Sequence, residues 1–171
     1  MAWREDGKVR WFKGLEPEGL EPLIAELSGE IVIHFRLASV GEVTPKLCHP
    51  FPITACATTR LSGHARAALF HNGTWSSWRE TLRRMPRHHR PDGLMSDTRV
   101  AASLVDLCGM DVLDRLPGRW VFFDRDFTEL YGDWREWRGM RASNLYFLPV
   151  RDASWHQHSL NLPDPCDYSD T

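Results

Sequence analysis

The chain has 171 residues, 42% of them hydrophobic and 26% charged, enough for one domain with a buried core. A formal net charge of −2 gives no global attraction to nucleic acid or an anionic membrane, and no apolar run approaches the roughly 20 residues that span a bilayer. The start, M-A-W-R-E-D, lacks the apolar stretch of a secretory signal, so the expectation is a cytoplasmic protein. The cysteines, Cys48, Cys56, Cys108 and Cys166, include no C-x-x-C pair. They read as free thiols, mostly buried, rather than as a disulfide framework.

Met1 to Arg4 and Val9 to Lys13 read as the arms of a hairpin around the Asp6-Gly7 turn. A chain that opens on a hairpin arm raises the expectation of a segment before Met1. Gly14 to Gly19 reads as a loop. Leu20, Leu23, Ile24 and Leu27 then mark one face of a helix with Pro22 in its first turn and Ser28-Gly29 at its end. A strand is expected over Glu30 to Ala38. Three prolines stiffen a long loop from Glu42 to Ala55, and Ile53 to Ala57 reads as a short strand. Leu61 to His64 turns into a strand over Ala65 to Phe70, and Thr74 is placed to cap a helix with Trp75, Trp78, Leu82 and Met85 on its apolar face.

Pro86 to Gly93 reads as a loop. Ser96 then caps a second helix, with Asp97 in its first turn, Val100, Ala101, Leu104, Val105 and Cys108 on its apolar face, and Gly109 at its stop. A further helical turn is expected over Asp111 to Leu116. Strands follow at Arg119 to Asp124, Phe127 to Tyr131, Trp137 to Ala142 and Asn144 to Pro149. The pattern is α+β, one domain over 1–150 with a polar tail over 151–171.

The stretch Ile31 to Gly41 is an apolar run that ends in His34, Arg36 and Ser39, as a strand does when it delivers polar groups to an edge. With it stand His49-Pro50, His71-Asn72-Gly73 and Ser96-Asp97-Thr98. Taken singly, each has an ordinary structural account: a paired arginine, a strand-to-helix turn, a helix-start charge. In this order and spacing, together with Ala142-Ser143-Asn144-Leu145, they resemble the class II glutamine amidotransferase domain, an N-terminal-nucleophile hydrolase family. The resemblance runs from the first residues to about Asn144. It implies an αββα sandwich of two antiparallel sheets between helices, here without its first strand.

By that resemblance Arg36, with Ser39 where the family more often has threonine, holds the α-carboxylate of glutamine through a bidentate fork. Asp97 accepts from the α-ammonium. Asn72 and the Gly73 amide form the oxyanion hole, where losing one donor typically lowers the rate by about 10²–10³. His49 supports from a loop that closes over the ligand. The family's nucleophile is a cysteine at the mature amino terminus, whose own amine is the base. Met1-Ala2 supplies none, and of the other cysteines only Cys48, beside His49, merits a test.

The expectation is therefore a glutamine-binding, amidotransferase-like domain, inactive as written. With its cysteine supplied it would release ammonia to a partner protein or to solvent. The alternative is a catalytically dead amino-acid-binding module. A lesser one is nucleic-acid binding through the basic cluster Arg79, Arg83, Arg84, Arg87, His88, His89 and Arg90, which reads more simply as a solvated helix face. No cofactor or metal is expected, since His156, His158 and Cys166 match no established zinc spacing.

Overall fold

The computed structural model describes residues 1–36 and 43–146. Ser39, His156, His158 and Cys166 lie outside the described residues, as do the end of the strand expected over Glu30 to Ala38, the second half of that expected over Asn144 to Pro149, and the tail. Residues 1–133 form one compact unit, and a second begins at Trp134.

The hairpin forms as the Asp6-Gly7 signal predicts. β1 (Ala2–Glu5) and β2 (Lys8–Phe12) pair antiparallel with Glu5 opposite Lys8. Asp6 and Gly7 both take positive φ, 52° and 67°, as a two-residue turn that matches strand twist requires. β3 (Ile31–Val32) adds to β1, and β5 (Ser62–Ala65) adds to β2, giving the order β3-β1-β2-β5. The register puts Ala2, Arg4, Val9 and Trp11 on one face. Ala2, Val9 and Trp11 are buried there, and Arg4 crosses to the second sheet. Its guanidinium lies over the Phe123 ring, and Nε donates to the Asp124 carbonyl at 2.8 Å.

The second sheet has the order β4-β6-β7-β8, from β4 (Phe51–Pro52), β6 (Ala67–Asn72), β7 (Arg119–Asp124) and β8 (Thr128–Tyr131). All its pairings are antiparallel. α2 (Trp78–Arg84) packs on α3 (Asp97–Cys108), and α3 packs on β4 and β6. A hydrophobic core joins Trp75, Trp78, Met85, Val100 and Leu104 to Phe51, Leu69, Trp120 and Phe122 of the sheet. The architecture of this unit is thus α+β with two antiparallel sheets. In the second unit β9 (Arg135–Trp137) and β10 (Met140–Ala142) form a hairpin.

α3 forms as read. Ser96 Oγ accepts from the Arg99 amide at 3.2 Å, and Gly109 ends the helix at φ 85°. Several expectations are corrected. α1 spans Pro17–Glu26, so it starts inside the expected loop, with Pro17 rather than Pro22 in its first turn and Pro22 in its interior. The expected strand over Ala65 to Phe70 is two strands in different sheets, parted at Arg66, because pairing partners distant in sequence decide where each ends. The short strand near Ile53 lies instead at Phe51–Pro52. α2 begins at Trp78 and not at Thr74, and the segment over Trp137 to Ala142 turns back at Arg138-Gly139. Cys56 and Cys108 are exposed and Cys48 is half-buried, against the expectation of mostly buried thiols.

Candidate functional site

Side-chain alternation along the first sheet builds one wall. Lys13 follows Val9 and Trp11 on the inward parity, and His34 follows Val32, which pairs with the inward Ala2. Lys13 is 2% exposed, and its Nζ sits 4.0 Å over the Phe51 ring with no acceptor among the described residues. The His34 and His49 rings stand 4.1 Å apart, and His49 meets Phe51 edge-on at 5.8 Å. The Nδ1 atoms of both histidines are buried and unpartnered among the described residues. His49 is therefore wedged into the interior, not free on a loop surface.

The end of β6 and the start of α3 build the other wall. The His71 ring stacks on Trp120 with centroids 3.7 Å apart and planes 5° from parallel. Its Nε2 lies 3.3 Å from the Pro117 carbonyl, which only accepts, so Nε2 carries the proton. Nδ1 then faces the Thr98 hydroxyl at 3.3 Å and Asp97 Oδ2 at 3.7 Å. Asp97 is 5% exposed; its Oδ2 accepts from the Trp75 amide at 3.0 Å and its Oδ1 from the Thr98 amide at 2.8 Å. This carboxylate locks the turn that follows Asn72-Gly73. Gly73 has φ 145°, and a Cβ there would come within 2.9 Å of Gly118 Cα and 3.0 Å of His71 Nε2. Only glycine fits so close an approach at positive φ.

The two walls meet. The His71 main chain hydrogen-bonds the His34 ring, and the His49 ring feels His34, His71, Lys13 and Arg36 electrostatically. Through the His71 contacts Gly73 and Asp97 join His34, His49 and His71, and Arg36 is near enough to act electrostatically on the His34 and His49 rings. These come from segments spread over 34–97 of the chain.

The field in this cluster is positive. Burial lowers the Lys13 ammonium to about 7, with Cys48 opposing the shift and Arg99 adding to it. Burial likewise lowers the Met1 α-ammonium to about 6, and its charge also bears on His34, which falls to about 4 chiefly through burial. Burial holds His49 well below its ordinary value, with His34, His71, Lys13 and Arg36 pushing the same way. His71 is lowered by burial against the opposing pull of Asp97. Such a set of displaced bases in one place is characteristic of functional sites.

Sequence reasoning missed Lys13, although its place in the V-R-W-F-K alternation marks it as inward. It also passed over the inward ring of His71. The basic cluster Arg79 to Arg90 is largely engaged with its own surroundings: Arg84 with Glu80, Arg90 with the Met85 and Arg83 carbonyls, Arg79 over the Trp78 ring, and His89 with Asp106. Among the described residues no group of His, Cys, Asp and Glu could hold a metal ion, and no helix is long and apolar enough to cross a membrane. Compared with known proteins, the chain matches no family model, no curated protein and no solved structure.

Proposed function

We propose that this chain is a class II glutamine amidotransferase-like domain of the N-terminal-nucleophile type, whose site binds glutamine or a related amino acid. One observation carries the reading: His34 to Arg36, His49-Pro50, His71 to Gly73 and Ser96 to Thr98, four segments separated in sequence, gather around a single cluster. Four unrelated structural turns have no reason to meet. In this reading Arg36 takes the α-carboxylate and Asp97 the α-ammonium, while Asn72 and the Gly73 amide face the side-chain carbonyl. Asp97 already accepts two main-chain N–H bonds, and a carboxylate offers about four lone-pair sites, so it retains capacity for an ammonium. The amide-cleaving step belongs to a cysteine that carries a free α-amine, and no described cysteine does.

Calorimetry with L-glutamine on the 171-residue chain tests this. Binding is expected, with loss in Arg36→Ala and in Asp97→Asn, and with no ammonia release. Absence of binding by a well-folded chain overturns the reading. Ammonia release from the pure chain would show that a residue other than an amino-terminal cysteine is the nucleophile.

A further inference from the structure

We propose that the chain self-associates, with the acidic helix α1 of one copy receiving Arg83 and Arg87 of a second copy. The contact lies apart from the amino-acid site and does not depend on how that site is read.

The two surfaces are opposite in charge, and each is left unneutralised within its own chain. Between Lys13 and Arg36 stand Glu16, Glu18, Glu21, Glu26 and Glu30, with no lysine or arginine among them. Glu30 pairs with Arg4. The other four carboxylates have no hydrogen bond or ion pair among the described residues. The segment from Arg79 to Arg90 is the reverse: Glu80 is its only acid. Arg84 pairs with Glu80, Arg90 donates to the Met85 and Arg83 carbonyls, and Arg79 lies over the Trp78 ring. The Arg83 and Arg87 guanidinium groups are left exposed, with no acceptor among the described residues. With a net charge of only −2, overall repulsion between copies is small, and this uneven distribution orients their approach.

Shape agrees with charge. No residue of α1 is buried. Pro17, Leu20, Glu21, Ile24 and Ala25 line a mainly apolar groove of about 340 Å³ along it, and Glu18 is three residues from Glu21 on the same side of the helix. An aliphatic floor edged by carboxylates suits arginine. The methylene stem lies along Leu20 and Ile24, and the planar guanidinium forks onto Glu18 or Glu21. The same acidic edge repels a second α1, so the helix does not pair with its own copy. The contact is therefore α1 to the α2 segment. It closes as a dimer where two copies exchange both surfaces and otherwise extends head to tail. Exposed ion pairs are individually weak and screened by salt, so the association is weak and salt-sensitive.

The test is sedimentation velocity of the intact chain at pH 7, with protein from about 10 μM to about 1 mM, the range of weak association. It is run at about 0.01 M and about 1 M salt, where the Debye length is about 30 Å and about 3 Å. Dimers or larger species are expected at low salt and monomer at high salt. Two charge-reversed chains locate the contact: Glu18→Lys with Glu21→Lys, and Arg83→Glu with Arg87→Glu. Each is expected to be monomeric alone. An equimolar mixture is expected to associate again, because reversed α1 meets reversed α2 segment and each unaltered surface still meets its complement. A monomeric parent chain at every concentration overturns the proposal. So does association that survives 1 M salt or either reversal, and so does a mixture that stays monomeric. Circular dichroism checks folding. If a reversed chain misfolds, Glu21→Gln and Arg87→Gln are each expected to weaken association several-fold, and parent-like association in both overturns the assignment.

Discussion

The Trp75 amide donates to Asp97 Oδ2 across 3.0 Å, which ties the loop after β6 to the first turn of α3. The bond makes one carboxylate serve both as helix-start charge and as anchor of the Asn72-Gly73 turn. The two roles separate by substitution. Asp97→Ala leaves the Trp75 and Thr98 amides buried without acceptors, and the loss of stability is expected at about 1–3 kcal/mol, read as a shift in urea midpoint. Asp97→Asn keeps one acceptor oxygen and removes the charge. It is expected to melt closer to the parent and yet fail to bind an amino acid.

Arg99 is the clearest structural arginine of the chain. It is 5% exposed, and its guanidinium donates to the carbonyls of Ala57, Asp92, Leu94 and Cys56 at 2.5–3.0 Å. One planar fork thus pins two segments of irregular chain, at 56–57 and 92–94, to α3. Lysine has three donors on a single atom and cannot reach four carbonyls. Arg99→Lys is expected to lower stability by about 2–4 kcal/mol. The acceptors are neutral carbonyls, so the loss should be the same at low and high salt. A loss that vanished at 1 M salt, where the Debye length is about 3 Å, would reassign Arg99 to an ion pair.

How much of this was legible beforehand follows physical lines. The Asp6-Gly7 turn and the Ser96 cap are set by groups within three or four residues of one another, and both appear as read. The break at Arg66 is set by β2 on one side and by β7 on the other, and nothing within the segment Ala65 to Phe70 announces it. α1 shows the same limit from another side. Its apolar spacing was visible, but Pro22 pulled the expected start too far along the chain, whereas Pro17 is the proline that opens the helix. At the site, residue types and order were legible while burial was not. His49 was expected on a closing loop and lies 8% exposed against His34 and Phe51. Lys13 carries no motif and is defined by what surrounds it.

The pH dependence of stability follows from the lowered bases. A basic group whose folded pKa lies below its unfolded value binds its proton better when unfolded. It opposes folding in full below its folded pKa, and that opposition fades as pH rises to the unfolded value. For His34 the window runs from about 4 to 6.5, and His49 acts in the same direction. For Lys13 it runs from about 7 to 10.5. The Met1 α-amine acts the same way from about 6 to 8, so stability of the ligand-free chain should rise from pH 4 to 8 and, above pH 8, chiefly through Lys13. Lys13→Met should flatten the upper rise and leave the lower one. Urea midpoints across pH 4–10 check this, and an unchanged upper slope in the variant would sink the assignment to Lys13.

Gly73 and Gly118 pack closely against each other and against the His71 ring. Gly73 has φ 145° and Gly118 φ 101°, and a Cβ on Gly118 would come within 2.4 Å of His71 Nε2. An alanine at either position must push the His71 ring off Trp120 or move the Pro117-Gly118 turn, and a backbone in the left-handed half of the map resists any side chain. Gly73→Ala and Gly118→Ala are each expected to lower stability by about 1–3 kcal/mol and to abolish amino-acid binding. Gly7, at φ 67° with nothing within 4 Å of its Cβ, is the control: Gly7→Asn meets no neighbour, asparagine tolerates this region, and binding should persist. Circular dichroism melts and the glutamine titration read both effects. If Gly73→Ala folds and binds like the parent, the close packing of His71 against the Gly73 and Gly118 backbones does not shape the site.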